Sequence, residues 1–174
     1  MSIEIDIVSG DVGWPYAKPL LEAVWPSAEV AKSSWGHIEW AKADLRVLVE
    51  TPDDVVCHVG LFFRTVLWKG RKHAIAGIGG VATHPDHRRG GYASIGLDAA
   101  VRTIRDREAI DFALLFCEPH NFAFYEARGW HRFDGVIMAE QAGARIRFEV
   151  MTPYVFDVKN APREGAIDLC GLPW

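Results

Sequence analysis

Residues 81–104, VATHPDHRRGGYASIGLDAAVRTI, decide how this chain is read. Val81, Ala82 and Thr83 read as the end of a strand, Pro85 to Gly91 as a basic turn, and the remainder as a helix. Leu97, Ala100, Val101 and Ile104 recur at the spacing of one helical face. The turn carries Arg88 and Arg89, and Gly91 opens the helix. A helix start leaves backbone N–H groups unpaired and carries a partial positive charge. With glycine keeping the backbone open and arginines beside it, such a turn suits a phosphate or pyrophosphate. Taken alone, the pattern also describes a solvated basic turn, because strand, glycine turn and helix occur in many unrelated folds.

The flanking sequence narrows the choice. Residues 72–83 read as the return strand of a hairpin that starts with a long strand over 55–68 and turns at Lys69-Gly70-Arg71. The return strand is rich in small residues: Ala74, Ala76, Gly77, Gly79, Gly80 and Ala82. Glycine weakens a strand and often marks close approach of a ligand or another chain. Downstream, Asp111 to Cys117 is a short apolar run that suits a buried strand, stopped by Pro119. Asn121 to Arg128 reads as a short helix capped by Gly129.

Arg88-x-x-Gly91-x-Ala93 fits the Arg/Gln-x-x-Gly-x-Gly/Ala signature of the GNAT superfamily of N-acetyltransferases, and Asn121-Phe-Ala-Phe-Tyr125 through Gly129-Trp130 resembles its second signature. The resemblance implies a GNAT fold of α+β class: a mixed, mostly antiparallel sheet with helices on both faces and splayed fourth and fifth strands. It implies acetyl-coenzyme A as cosubstrate, with the acyl thioester between those strands. By the family's pattern, the backbone of Val81, Ala82 and Thr83 pairs with the pantetheine arm. His87, Arg88, Arg89, Gly90, Gly91, Tyr92, Ala93 and Ser94 wrap the pyrophosphate, and Asn121 and Phe124 hold the cofactor. The Val81 N–H is the implied oxyanion donor. Tyr125 stands where the family places a tyrosine beside the sulfur, and a phenol is a plausible acid toward a thiolate leaving group. The same position also suits a packing tyrosine on an amphipathic helix.

The base is less defined. Many relatives carry a glutamate on the fourth strand, but Gly77 to Val81 holds no carboxylate. Glu118 and His120 are the nearest alternatives, and each also reads as a surface residue before a turn. Cys117 suggests an acyl-enzyme, but buried cysteines are usually inert and the family implies direct transfer.

The tail, Asp168-Leu-Cys170-Gly-Leu-Pro-Trp174, is similar to that of the aminoglycoside 2′-N-acetyltransferases, whose tails reach the acceptor site. That implies Asp168 and the Trp174 carboxylate as charge at the acceptor mouth. The tail departs in being shorter after its cysteine, and Gly79 stands where those enzymes carry their glutamate. A fainter similarity extends to the nodulation N-acyltransferases. Leu169, Leu172 and Trp174 equally describe a terminal strand with Trp174 as a plug.

At 174 residues the chain fits a single domain, residues 1–174, with a substantial core. Its net charge of −4 argues against a general nucleic-acid binder and is compatible with a cationic acceptor. No basic segment precedes an apolar run at the start, and no apolar stretch approaches membrane-spanning length. A cytoplasmic protein without membrane contact is expected. Cys57, Cys117 and Cys170 form neither a zinc pattern nor a disulfide framework, and the histidines are scattered, so no metal is expected.

Residues 3–8 alternate apolar and acidic, as a half-buried strand does, and 15–25 read as a helix ended by Pro26. Residues 26–43 read as a second helix or lid, in which Trp35 and Trp40 either shape an acceptor pocket or pack on the sheet. Residues 45–50 read as a strand, and 144–158 as another interrupted near Pro153. The expected activity is acetyl transfer to a primary amine of a small molecule, an aminosugar or polyamine. A protein or peptide amine, or a coenzyme A-binding module without catalysis, is the alternative. A homodimer is left open.

Overall fold

The computed structural model describes residues 2–174, which form two compact units. The first unit holds the chain up to His37, Lys42–Phe62 and Ile78–Thr103. The second holds Ile38–Ala41, Phe63–Gly77 and Ile104–Trp174.

In the first unit, β1 (Glu4–Ser9) pairs antiparallel with β2 (Leu45–Glu50), which pairs antiparallel with the start of β3 (Val55–Trp68). The register sets Leu48 opposite His58 and Arg46 opposite Gly60. The end of β4 (Arg71–Thr83) also belongs here, with α1 (Gly10–Val24), the single turn α2 (Ser27–Val30) and α3 (Tyr92–Arg105). The β2–β3 strands read as apolar runs because both faces are covered. Val47, Val49, Val56 and Val59 are fully buried, as are Leu97 and Ala100 of α3. Tyr92 and Ile95 pack on Val49, Val56 and Cys57, which seats the first turn of α3 on the sheet.

The second unit adds β5 (Phe112–Cys117), α4 (Phe122–Glu126), β6 (His131–Arg132), β7 (Asp134–Gln141), β8 (Ala144–Arg147), β9 (Thr152–Asp157) and β10 (Glu164–Asp168). Its strand order is β6-β9-β5-β4-β3-β10-β7-β8. β5 pairs antiparallel with β9, and β10 runs parallel to β7 and antiparallel to β3. Phe112, Leu114, Leu115, Trp130, Phe133, Tyr154 and Ile167 form its core. The fold is α+β with a mixed, mostly antiparallel sheet, as the sequence predicts.

Several expectations change in detail. β1 forms, but Ile3, Ile5 and Ile7 are 41%, 44% and 45% exposed rather than half-buried against a core. α1 starts at Gly10, not residue 15, because the Ser9 hydroxyl caps it by accepting from the Val12 N–H. Pro15 and Pro19 lie inside this helix, so the first proline marks its interior, not its start. Residues 26–43 are not a helix: only Ser27–Val30 is helical, and turns follow. The segment over 144–158 is two strands, and β7 with β8 forms a hairpin through Ala142 and Gly143, both with positive φ.

Candidate functional site

The basic turn is built as a cradle on the first unit. Pro85–His87 makes one 3-10 turn, in which the His84 Nδ1 accepts from the Asp86 N–H at 3.2 Å. His87 stands edge-on between His84 and Tyr92, with ring centroids 5.6 and 6.2 Å apart. Arg89 and Gly91 take left-handed conformations, φ 66° and 78°, which turn the chain twice before α3 begins. A Cβ at Gly91 would meet nothing within 4 Å, so space lies open at the helix start. Arg88, Arg89 and Gly90 are exposed, and His87 and residues 92–94 are half-buried. An arginine-flanked turn with an open glycine at the positive end of a fourteen-residue helix is suited to an anionic group.

β4 enters this turn through Gly80, Val81, Ala82 and Thr83. Gly80 is left-handed (φ 59°), which breaks the regular strand and turns its carbonyl toward the His58 ring. The His58 Nδ1 lies 2.7 Å from that oxygen, and its Nε2 lies 3.0 Å from Arg46 Nη1. A carbonyl only accepts and a guanidinium only donates, so one neutral tautomer satisfies both contacts: Nδ1 carries the proton and Nε2 accepts. His58 is 1% exposed, and burial, followed by the Arg46 charge, lowers its pKa to about 4 against the Gly80 carbonyl's opposing effect. Arg46 is itself buried, donates from Nε to the Gly10 carbonyl at 2.8 Å, and lies 5.0 Å from the Trp14 ring. Neither Arg46 nor His58 was singled out by the sequence reading. Their signal is a lone histidine in the apolar run 55–63 and a lone arginine in LRVLV.

Among the second unit's candidates, Tyr125 is buried on α4, edge-on to Phe124 at 5.0 Å and to Trp130 at 6.2 Å. Phe124 is half-buried under the Arg128 guanidinium, 3.8 Å from its ring. Asn121 is half-buried at the α4 start and makes no side-chain cap bond there. Glu118 and His120 face each other at 3.7 Å across the turn before α4; His120 is exposed and Glu118 half-buried. Burial, helped by Glu126 and Glu118, raises the Cys117 thiol to about 12, so it stays protonated and is a poor nucleophile.

The tail candidates are already engaged. Asp168 accepts from Arg145 Nε at 2.7 Å and from the Cys170 N–H at 2.9 Å. Trp174 is 5% exposed, and its Nε1 donates to the Leu114 carbonyl at 3.0 Å. Ala41 donates to the Pro173 carbonyl at 2.7 Å. In the first unit, Trp35 is edge-on to Trp25 at 6.4 Å and is half-buried. Among the described residues, no three His, Cys, Asp or Glu side chains group as metal ligands, and no helix is long and apolar enough to cross a membrane.

The family profile described as the acetyltransferase (GNAT) domain matches residues 11–133. The chain therefore belongs to the GNAT acetyltransferase domain family, and the match takes in both signature segments. Solved structures share the fold at low identity. Escherichia coli ElaA is 14% identical, covers 90% of this chain and 100% of its own, and superposes with a TM-score of 0.63. A GNAT family acetyltransferase from Brucella melitensis, solved in complex with acetyl-CoA, is 13% identical over 95% of this chain and 94% of its own, with a TM-score of 0.61. The E. coli GNAT family N-acetyltransferase YhbS, solved in complex with CoA, is 14% identical over 97% and 88%, with a TM-score of 0.60. A search of the curated proteins gives no match.

Proposed function

We propose that this protein transfers an acetyl group from acetyl-coenzyme A directly to a primary amine of a small cationic acceptor, an aminosugar or a polyamine. The observation that carries the reading is the turn from Arg88 to Ser94: left-handed Arg89 and Gly91, two exposed cations, and an open helix start. This geometry fits the pyrophosphate of the cosubstrate. Acetyl-CoA and CoA in the complexes of two fold relatives point the same way.

In this reading the backbone of Val81 to Thr83 holds the pantetheine arm as an added strand would. The Val81 N–H faces the thioester oxygen as negative charge develops on it. Tyr125 donates its phenolic proton to the departing thiolate. The attacking amine loses its proton to Glu118 or His120, or through water, since no carboxylate stands between Gly77 and Val81. Holding amine and thioester together supplies much of the rate. The protonated thiol of Cys117 favours direct transfer over an acyl-enzyme. The acceptor class rests on the net charge of −4 and on the tail's similarity to the aminoglycoside 2′-N-acetyltransferases. Use of acetyl-coenzyme A goes with a cytoplasmic location.

The test is free-thiol release from acetyl-coenzyme A against a panel of aminoglycosides, aminosugars, polyamines and peptides, with cosubstrate binding followed by calorimetry. Turnover with one small amine class supports the reading, and turnover confined to peptides replaces the acceptor. Tight binding without turnover on any amine favours a binding module, for which the carboxylate-free run Gly77 to Val81 is the argument. Absence of binding overturns the reading.

A further inference from the structure

The geometry points to a buried relay, Arg46 to His58 to the Gly80 carbonyl, that orients and polarises the Gly80–Val81 peptide so that the Val81 N–H serves as the oxyanion donor. The inference rests on the reading of this protein as an acetyltransferase and adds two positioning residues to it.

Gly80 C=O and Val81 N–H belong to one planar trans amide, so the two groups point in opposite directions. Pinning the oxygen on one side fixes where the hydrogen points on the other. His58 pins it, at 2.7 Å. The His84 N–H donates to the Val56 carbonyl at 2.9 Å, toward β3. By the two-residue strand period Ala82 shares that side, and Val81 and Thr83 present their N–H groups away from β3. A hydrogen bond at a carbonyl oxygen also draws electron density from the amide nitrogen, so the N–H becomes a stronger donor.

The relay leaves His58 no freedom. Changing its tautomer would set a ring N–H against the Arg46 guanidinium at 3.0 Å and a bare nitrogen against the Gly80 oxygen, and flipping the ring would put carbons at both places and lose both contacts. Arg46 is tied in turn to the Gly10 carbonyl at the start of α1 and stacked on Trp14. Gly80 completes the device. Its left-handed φ suits glycine, and a Cβ there would lie 3.2 Å from His58 Cε1 and 3.3 Å from Nδ1. A buried arginine facing a histidine, with Asp11 acting on it through space and no carboxylate among the described residues hydrogen-bonded to either, is costly as pure structure and makes sense when it holds one peptide in one orientation.

The test uses [1-13C]acetyl-coenzyme A and three proteins: wild type, His58→Asn, which keeps an N–H near the Nδ1 position, and His58→Leu, which removes it. In the wild type the bound carbonyl carbon resonates downfield of the free thioester. His58→Asn retains most of that displacement and His58→Leu loses at least half of it. kcat follows the same order, falling about 10-fold in His58→Leu, while the acetyl-coenzyme A KM stays within about 2-fold. A displacement that is the same in all three proteins overturns the inference while leaving the acetyltransferase reading intact. Failure of the wild type to bind the labelled thioester overturns both. The wild-type protein also answers without substitution, whatever the folding of the variants. Long-range 15N–1H spectra are expected to show the His58 proton on Nδ1, and a proton on Nε2 overturns the relay.

Discussion

Trp174 occupies the space that a side chain at Gly77 would need. A Cβ at Gly77 would collide with the indole ring, and the indole Nε1 donates to the Leu114 carbonyl of β5 at 3.0 Å. The Arg64 guanidinium lies 5.0 Å from the same ring and donates to the Leu172 carbonyl, so the last residues of the chain are tied to β3. Gly77→Ala is expected to destabilise the protein by about 1–3 kcal/mol through overpacking. Trp174→Ala is expected to cost about 3–5 kcal/mol. In Trp174→Ala the clash is gone, so adding Gly77→Ala costs little. Urea unfolding of both single variants and the double variant measures this coupling, and strict additivity would contradict the contact.

Stability should fall in mildly acid solution because of His58. Its folded pKa of about 4 lies below the ordinary 6.5, so the unfolded chain binds the proton more readily. The contribution is fully present above pH 6.5 and is lost as pH falls through the window down to about 4, roughly 3 kcal/mol in all. The charged group facing the ring is Arg46, with Asp11 acting on Arg46 in turn. His58→Asn removes the titration. Its urea midpoint should therefore change less between pH 7 and pH 4.5 than that of the wild type.

Tyr125→Phe tests the proposed acid without disturbing its packing against Phe124 and Trp130. Turnover is expected to fall about 100-fold with acetyl-coenzyme A binding retained. Unchanged turnover would make Tyr125 a packing residue only.

The signature turn separates charge from conformation. Arg88→Ala and Arg89→Ala should each weaken acetyl-coenzyme A binding several-fold, with the differences shrinking as salt is raised. Gly91→Ala places a side chain in open space at φ 78°, so strain of about 1–2 kcal/mol is its only structural effect. Calorimetric titration at two salt concentrations distinguishes the two kinds of variant.

Asp168→Asn asks whether the tail reads the acceptor. Its partner Arg145 is 61% exposed, so the pair stabilises by no more than about 1 kcal/mol and the urea midpoint should scarcely move. The expected effect is a raised KM for a cationic amine with the acetyl-coenzyme A KM unchanged. An unchanged amine KM would remove Asp168 from the acceptor site.

Local pattern determined much of this protein. The spans of β2 and β3, the helix after Gly91 and the cap at Gly129 follow from apolar periodicity and from glycine at turn positions, which act over a few residues. The family signatures lie in those same segments, which is why the class is legible in the sequence. Contacts across long sequence separations were not. Residues 26–43 hold helix-compatible side chains, yet only Ser27–Val30 is helical and turns follow. The contact of the Trp174 indole with Gly77 joins residues 97 positions apart, and the tail's own sequence does not contain it. The relay depends on register: Arg46, His58 and Gly80 meet only because β2 pairs with β3 in one alignment and Gly80 leaves the regular strand. A slip of one residue would turn each side chain to the other face, so the three residues meet only once the strands are paired.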